Sequence, residues 1–132
     1  MDILIDTQIL IWSIVSPEKL STKIKNILEN NTICISQISF FEISIKQKIG
    51  KMQNLALPIN ELIKRIIDDN FEILSIKNAH IIAYQDIELH EQHRDPFDRL
   101  LLATALSERL PIISADEKFK WYSTQIELIE NN

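Results

Sequence analysis

The sequence is poor in the residues that build disulfides, metal clusters and linkers. Its single cysteine, Cys34, can form neither an internal disulfide nor a cysteine-rich metal site. Cys34 lies between two isoleucines, which predicts a buried and unreactive thiol. One glycine and four prolines among 132 residues leave little material for a linker, and there is no internal repeat. We therefore expect one domain that spans residues 1–132.

Long hydrophobic runs are also missing. No apolar stretch approaches the roughly 20 residues that a helix needs to cross a bilayer. The apolar start Ile3–Ile5 is interrupted at Asp6, and it has neither a basic leader nor a small-residue cleavage site. These patterns predict a cytoplasmic protein without a membrane anchor.

Positive charge is in short supply as well. The chain carries 14 Lys and Arg residues against 19 Asp and Glu residues, for a formal net charge of -5. A broad basic face that holds a nucleic-acid backbone by charge alone is therefore not expected. A substrate that contains phosphate would need another source of positive potential.

Hydrophobic periodicity predicts strands that alternate with helices. Short apolar runs indicate buried strands at Ile3–Ile5, Ile33–Ile35, Glu72–Leu74 and Pro111–Ile113, with a candidate fifth at Ile126–Ile129. Apolar residues at helical spacing mark helices between them, on the faces Ile24, Ile27 and Leu28; Ile38, Phe41, Ile45 and Ile49; Leu62, Ile63, Ile66 and Ile67; and Leu100, Leu101, Ala103, Thr104 and Leu106. This alternation predicts an α/β fold with helices on both faces of a mostly parallel sheet of four to five strands.

Four acidic residues stand where such a sheet would bind a ligand. Asp6 directly follows the first predicted strand, and Glu42 lies early in the helix after the second. Asp98 lies in the first turn of a later helix, and Asp116 follows the fourth strand. Parallel sheets bind ligands beyond the carboxyl ends of their strands. The four acids are therefore expected to converge at one edge of the sheet.

Each acid also has a purely structural interpretation. Ser39 and Glu42 form a capping-box pattern, and Glu42 can pair with Lys46 one turn along the helix. Asp95 suits an N-cap, and Asp98 three residues later suits the positive end of the helix dipole. The other two acids can cap the helices that follow them.

Capping explains the acids one at a time but gives no reason for them to converge. Several carboxylates at one sheet edge repel one another and lose solvation unless they bind a cation. A set of oxygen ligands suits Mg²⁺ or Mn²⁺, whose remaining positions bind phosphate oxygens. Such an ion would supply the positive potential that the net charge does not.

At these residues the chain resembles the PIN-domain family, and specifically the toxin ribonucleases of VapBC-type, or type II, toxin–antitoxin systems. The resemblance spans essentially the whole chain. It rests on four stretches, which are Leu4-Ile5-Asp6-Thr7, Ser39–Lys46 with Ile49-Gly50-Lys51, His93–Leu100 and Ser114–Phe119. It implies a PIN-like α/β/α sandwich around a parallel sheet.

The resemblance also implies metal-dependent endonucleolytic cleavage of RNA. The four acidic positions of the family fall on Asp6, Glu42, Asp98 and Asp116, which would hold one or two Mg²⁺ ions, or Mn²⁺, and activate a water. The neighbouring Asp95 is assigned to the helix cap. The resemblance also implies three partners, which are an RNA substrate, a small antitoxin protein similar to VapB and a second copy of the chain in a homodimer.

Five further residues are assigned supporting roles. The hydroxyls of Thr7 and Ser114 are expected to orient carboxylates or a metal-bound water. Lys46, Arg94 and Arg99 are expected to contact the RNA backbone, with the alternative that Lys46 only pairs with Glu42.

Several competing interpretations are weaker. A haloacid-dehalogenase-type phosphatase needs a second Asp where Gln8 stands, and the acid and lysine set of a response-regulator receiver is missing. The spacing of His90 and His93 is a weak metal signal, and His93 is expected to shape the loop before Asp95. Two alternatives stay open, a non-catalytic PIN-fold binding module and a structure-specific DNA nuclease.

Overall fold

Strands and helices alternate along the chain in the computed structural model, which describes residues 1–132. The strands are β1 (Asp2–Ile5), β2 (Thr32–Ser36), β3 (Glu72–Leu74), β4 (Ile112–Ser114) and β5 (Leu128–Glu130). The α-helices are α1 (Thr7–Val15), α2 (Thr22–Asn30), α3 (Gln37–Lys48), α4 (Ile59–Asp68), α5 (Asn78–Tyr84) and α6 (Pro96–Glu108). Two 3₁₀ helices complete the set, Pro17–Lys19 and the C-terminal 3₁₀ helix, Glu117–Tyr122.

The five strands form one parallel sheet in the order β3-β2-β1-β4-β5. In its register Ile3 lies beside Ile33, and Ile5 lies beside Ile113. The predicted α/β class and the central parallel sheet are confirmed, with β4 and β5 beginning slightly later than the apolar runs indicated. The strand order reverses at β1, because the chain first builds outward through β2 and β3 and then returns to β4. That reversal opens a crevice at the carboxyl ends of β1 and β4.

Helices cover both faces of the sheet, so alternate strand residues belong to two different cores. On one face Ile3 and Ile5 pack with apolar residues of α1, α2, α3 and α4. On the other face Leu4 and Cys34 pack with α6 and the C-terminal 3₁₀ helix. The buried Cys34 thiol confirms the sequence prediction, and burial raises its pKa to about 11. No helix of the structure is both long and apolar enough to cross a membrane.

Helix α3 buries only part of the face that the sequence predicted, which is Ile38. Phe40 and Ile43 are buried, whereas Phe41 and Ile49 are both 58% exposed. The sequence of α3 offers two overlapping apolar stripes, and the helix docks between two cores with residues of both, since Ile38 packs in one core and Phe40 and Ile43 pack in the other. Helix α4 also follows its prediction in part, because Leu62 and Ile66 are fully buried whereas Ile67 is 56% exposed.

The capping-box interpretation at Ser39 is also wrong. Helix α3 begins at Gln37, and its N-cap is Ser36, whose hydroxyl accepts a hydrogen bond from the backbone N–H of Ile38. Ser39 lies inside the helix, fully buried, and its Oγ accepts a 2.9 Å hydrogen bond from Thr7. Because α3 begins at Gln37, Glu42 lies in its second turn, where it is buried.

Candidate active site and metal centre

A cleft of about 570 Å³ lies at the carboxyl edge of the sheet. All four predicted acids line it, Asp6 after β1, Glu42 on α3, Asp98 on α6 and Asp116 after β4. A larger depression of about 720 Å³ lies between α1, α2 and α4, but it contains none of these acids. The convergence expected from the strand ends is therefore the geometry that the chain adopts.

Asp6 is the most deeply buried of the four carboxylates. It caps α1, because its Oδ1 accepts a 2.8 Å hydrogen bond from the backbone N–H of Ile9. The pKa of Asp6 is raised to about 7, mainly by burial; the charges of Asp98 and Asp116 act in the same direction, and Ser114 and the backbone N–H of Ile9 oppose them. Asp6 therefore lies within electrostatic reach of two other acids.

Asp98 lies in the first turn of α6, opposite Asp6. The cap of this helix is Asp95, as predicted, since its Oδ1 accepts hydrogen bonds of 2.8 Å from Phe97 N and 3.2 Å from Asp98 N. The side chain of Asp98 therefore does not cap the helix. Burial is the main cause that raises its pKa, the charges of Asp95 and Glu42 act in the same direction, and a hydrogen bond from His93 opposes them.

Glu42 presents one unpartnered oxygen to the cleft. Its Oε2 accepts a 2.8 Å hydrogen bond from Lys46 Nζ, which is the pairing that the sequence allowed. Its Oε1 is buried and has no hydrogen-bond partner. A buried carboxylate oxygen without a donor is costly, and a cation or a donated proton would remove that cost.

Asp116 completes the cluster from the exposed side. Its Oδ1 accepts a 2.9 Å hydrogen bond from Lys118 N, so it caps the C-terminal 3₁₀ helix. Ligand atoms of Asp116, Asp98 and His93 all lie within 4.8 Å of one another. This spacing allows one ion to contact two of these groups at once.

The two predicted hydroxyls have different surroundings. Ser114 lies close enough to Asp6 to lower the pKa of that carboxyl, and its Oγ accepts a 3.0 Å hydrogen bond from Asp116 N, so it lies between two acids of the cleft. Thr7 is buried and donates to Ser39 Oγ rather than to a carboxylate. Its hydroxyl therefore connects α1 with α3.

The three predicted basic residues differ in their exposure to solvent. Lys46 is half-exposed beside Glu42, and Arg94 is exposed on the loop before α6. The expectation that Arg99 contacts RNA is corrected by its burial, since only 4% of the residue is exposed. Its guanidinium donates to the carbonyls of Ile87 and Glu88, at 3.2 Å and 2.9 Å, and cannot reach a substrate. Lys51, from the loop after α3, lines the cleft as a further cation.

His93 is the residue of this site that sequence reasoning missed. It is buried, and its Nε2 lies 3.0 Å from Asp98 Oδ2. The only sequence signal is that His93 precedes Asp98 by five residues in the stretch His-Arg-Asp-Pro-Phe-Asp. That spacing does not show that the loop turns back over the helix.

The residues of the cleft fit a divalent cation. They offer carboxylate oxygens from four separate elements, which hard ions such as Mg²⁺ and Mn²⁺ prefer. The unpartnered Glu42 Oε1 and the raised pKa of Asp6 are both signs of negative charge that lacks compensation. Asp6, Glu42, Asp98 and Asp116 are the residues that could hold the ion.

Fold and site together define an α/β protein with a carboxylate cluster at the switch point of a parallel sheet. The model of the PIN domain family matches residues 3–123, and the chain belongs to this family. PIN domains are generally nucleases, and PIN nucleases typically use divalent metals. No curated protein matches the sequence at a significant level.

Solved structures of toxin–antitoxin proteins share the fold. VapBC2 from Rickettsia felis, bound to a DNA fragment from its promoter, has a chain that is 20% identical, with a TM-score of 0.73 and full coverage of both chains. A chain of DNA-bound VapBC from Salmonella typhimurium is 19% identical, with a TM-score of 0.74 and coverage of 100% and 99%. A chain of VapBC-1 from nontypeable Haemophilus influenzae is 18% identical, with a TM-score of 0.68 and coverage of 98% of each chain. The PIN-like sandwich predicted from the sequence is thereby confirmed.

Proposed function

We propose that residues 1–132 form one PIN domain that acts as a cytoplasmic, metal-dependent endoribonuclease, the toxin of a toxin–antitoxin pair. One observation carries this proposal: carboxylates from four elements meet in a single cleft, and one buried oxygen, Glu42 Oε1, has no partner there. A stabilising role in the fold would not require this arrangement, because unpaired carboxylates in a cleft cost free energy.

Asp6, Asp98 and Asp116 are the proposed ligands of Mg²⁺ or Mn²⁺, and Glu42 either joins them or acts as the base. The ion, when bound, polarises the scissile phosphate and lowers the pKa of an attacking water. Asp6 has to lose its proton before it can ligate, which its pKa of about 7 permits at neutral pH. The hydroxyl of Ser114 orients the Asp6 carboxylate.

Lys46, Lys51 and Arg94 are the proposed contacts to the RNA backbone. The first two line the cleft, and Arg94 is exposed four residues before Asp98. Three cations around the cleft give the phosphates a local attraction that the net charge of -5 does not provide. Because the same chemistry would cleave single-stranded DNA, the choice of RNA rests on the resemblance of the four sequence stretches to the VapBC-type toxin ribonucleases.

Two protein partners are proposed. An antitoxin similar to VapB follows from the structural neighbours, which are VapBC complexes. A second copy of the chain is proposed to cover the apolar patch, which we define as Phe41 on α3, Ile81 and Ile82 on α5, and Phe97 on α6. Phe41, Ile81 and Ile82 are each more than half exposed, and the rings of Phe41 and Phe97 lie 6.1 Å apart. Burying these side chains would supply the hydrophobic free energy that a dimer needs.

The test is cleavage of end-labelled total RNA by purified, antitoxin-free protein with Mg²⁺, with Mn²⁺ or with a chelator. We expect discrete products that require metal and are lost in Asp6→Asn and Asp98→Asn. The matched control is Asp68→Asn, which changes an exposed acid of α4 far from the cleft. Cleavage of single-stranded DNA alone would indicate a DNA nuclease, and no cleavage by folded, metal-bound protein would indicate a binding module.

A further inference from the structure

His93 is held on both sides of its ring. Its Nδ1 lies 2.9 Å from the hydroxyl of Tyr122, and its Nε2 lies 3.0 Å from Asp98 Oδ2. The ring also packs against Phe119, at a centroid distance of 5.9 Å. His93, Phe119 and Tyr122 are all buried. The imidazole therefore has one fixed orientation, and it points one nitrogen at a proposed metal ligand.

The direction of the hydrogen bonds follows from Arg99. A guanidinium has only donors, and Arg99 Nη1 donates to the Tyr122 oxygen at 3.4 Å as well as to the Glu88 carbonyl at 2.9 Å. The Tyr122 hydroxyl accepts there, so its own proton is available to His93 Nδ1. The Nε2 of His93 then carries the ring proton and donates it to Asp98. In this arrangement each donor of the chain has an acceptor, from Arg99 through Tyr122 and His93 to Asp98.

The same contacts join the two halves of the acidic cluster. Tyr122 closes the C-terminal 3₁₀ helix, whose N-cap is Asp116, whereas Asp98 and Arg99 belong to α6. His93 comes from the loop before α6 and bridges the two elements. The spacing between Asp98 and Asp116 therefore depends on side chains that line no part of the cleft.

We propose that Arg99, Tyr122 and His93 form a hydrogen-bond relay that positions the Asp98 carboxylate for cation binding, with Nε2–H of His93 as the final donor. This inference rests on the proposed function, since it takes Asp98 as a metal ligand. His93 is a positioning residue here and not a ligand. It leaves one oxygen of Asp98, Oδ1, for the ion. Partners of this kind typically change metal affinity or activity by about 10-fold to 100-fold.

The relay itself is tested without metal. Nitrogen-15 NMR of the metal-free protein at pH 8 reports which ring nitrogen of His93 carries the proton. We expect the Nε2–H tautomer, and in Tyr122→Phe we expect a mixture of tautomers, because Nδ1 loses its donor. An Nδ1–H tautomer in the wild-type protein would overturn the relay, since Asp98 would then receive no proton from His93.

The consequence for the cation is tested by Mn²⁺ titration, followed by electron paramagnetic resonance. We expect His93→Leu to weaken Mn²⁺ binding about 10-fold and Tyr122→Phe to weaken it about 3-fold. His93→Gln keeps an amide N–H near Asp98 and is expected to retain affinity within about 2-fold. The matched control is His90→Leu, because His90 packs on the same Tyr122 ring but lies outside the acidic cluster. Its Mn²⁺ affinity should equal that of the wild type.

The outcomes separate the relay from the proposed nuclease. Equal Mn²⁺ affinity in the wild type and Tyr122→Phe would overturn the relay, even if His93→Leu failed to fold. A nitrogen coupling to bound Mn²⁺ that disappears in His93→Gln would make His93 a ligand and would also overturn it. Lower kcat at unchanged KM for RNA in Tyr122→Phe supports positioning. If the variants change Mn²⁺ affinity as expected but no protein cleaves RNA, the proposed function fails and the relay stands, whereas no Mn²⁺ binding by the wild type overturns both.

Discussion

Lys46 Nζ lies 2.8 Å from Glu42 Oε2, one helical turn away, while the second oxygen of the same carboxylate is buried without a partner. The Lys46 ammonium therefore contacts one oxygen of a carboxylate that shares its cleft with three other acids. It is also half-exposed at the rim of the cleft, within reach of a substrate phosphate. One side chain thus offsets the charge of Glu42 and, in the proposed function, contacts the RNA backbone.

Replacing Lys46 should strengthen the binding of Mn²⁺ and weaken the binding of RNA. In Lys46→Gln the cleft gains net negative charge, so we expect Mn²⁺ to bind about 3-fold more tightly. The loss of a cation should raise KM for RNA by about 3-fold and reduce the salt dependence of binding. Titration with Mn²⁺ and cleavage kinetics at several salt concentrations measure both effects. Lys64→Gln, on the exposed face of α4, serves as the control and should change neither.

The raised pKa of Asp6 predicts a pH-dependent stability of the metal-free protein. Between about pH 4 and pH 7 the folded chain holds a proton on Asp6 that the unfolded chain has released, so stability falls as the pH rises. Asp6→Asn cannot ionise, and its amide oxygen can still accept from Ile9 N. We expect the variant to be more stable than the wild type at pH 8 by about 4 kcal/mol and equal to it near pH 4.

Urea unfolding in the presence of a chelator measures this difference. Addition of Mg²⁺ should then reverse it, because a bound cation stabilises the folded wild type and not the variant. A wild-type stability that stays constant from pH 5 to pH 8 would show that Asp6 has no raised pKa.

The two arginines beside Asp98 should behave differently. Arg99→Met leaves the carbonyls of Ile87 and Glu88 without their donor, so we expect a loss of about 3 kcal/mol in unfolding free energy. Arg94→Met changes an exposed side chain and should cost less than about 0.5 kcal/mol. It should raise KM for RNA instead. Urea unfolding together with cleavage kinetics distinguishes the two, and a stable Arg99→Met protein would contradict the structural role of Arg99.

The apolar patch predicts a concentration-dependent dimer. Phe41→Asp places a charge among exposed apolar side chains, so it should shift sedimentation toward the monomer without loss of fold. Ile67→Asp is the matched control, because Ile67 is about as exposed as Phe41 but lies on α4, outside the apolar patch. Sedimentation equilibrium over a range of concentrations makes the comparison. A dimer that survives Phe41→Asp and dissociates in Ile67→Asp would place the interface on α4.

Short-range patterns in the sequence were sufficient to predict the sheet and the position of the acids. Buried strands appear as short apolar runs, and β3 lies where its run predicted it. The caps at Asp6, Asp95 and Asp116 were also predictable, because a cap involves an acceptor and a backbone N–H only two or three residues away. Helix α3 was harder, because its two apolar stripes are equivalent until the helix docks.

The sequence by itself therefore determined the α/β architecture, the family and the four acids at the strand ends. Only the tertiary structure decided that Arg99 is buried, that Phe41 is exposed and that His93 reaches Asp98. The physical reason is distance along the chain. Tyr122 lies 29 residues after His93, and their hydrogen bond exists only because the C-terminal 3₁₀ helix packs beside α6. Such a contact depends on packing between elements, for which local periodicity carries no signal.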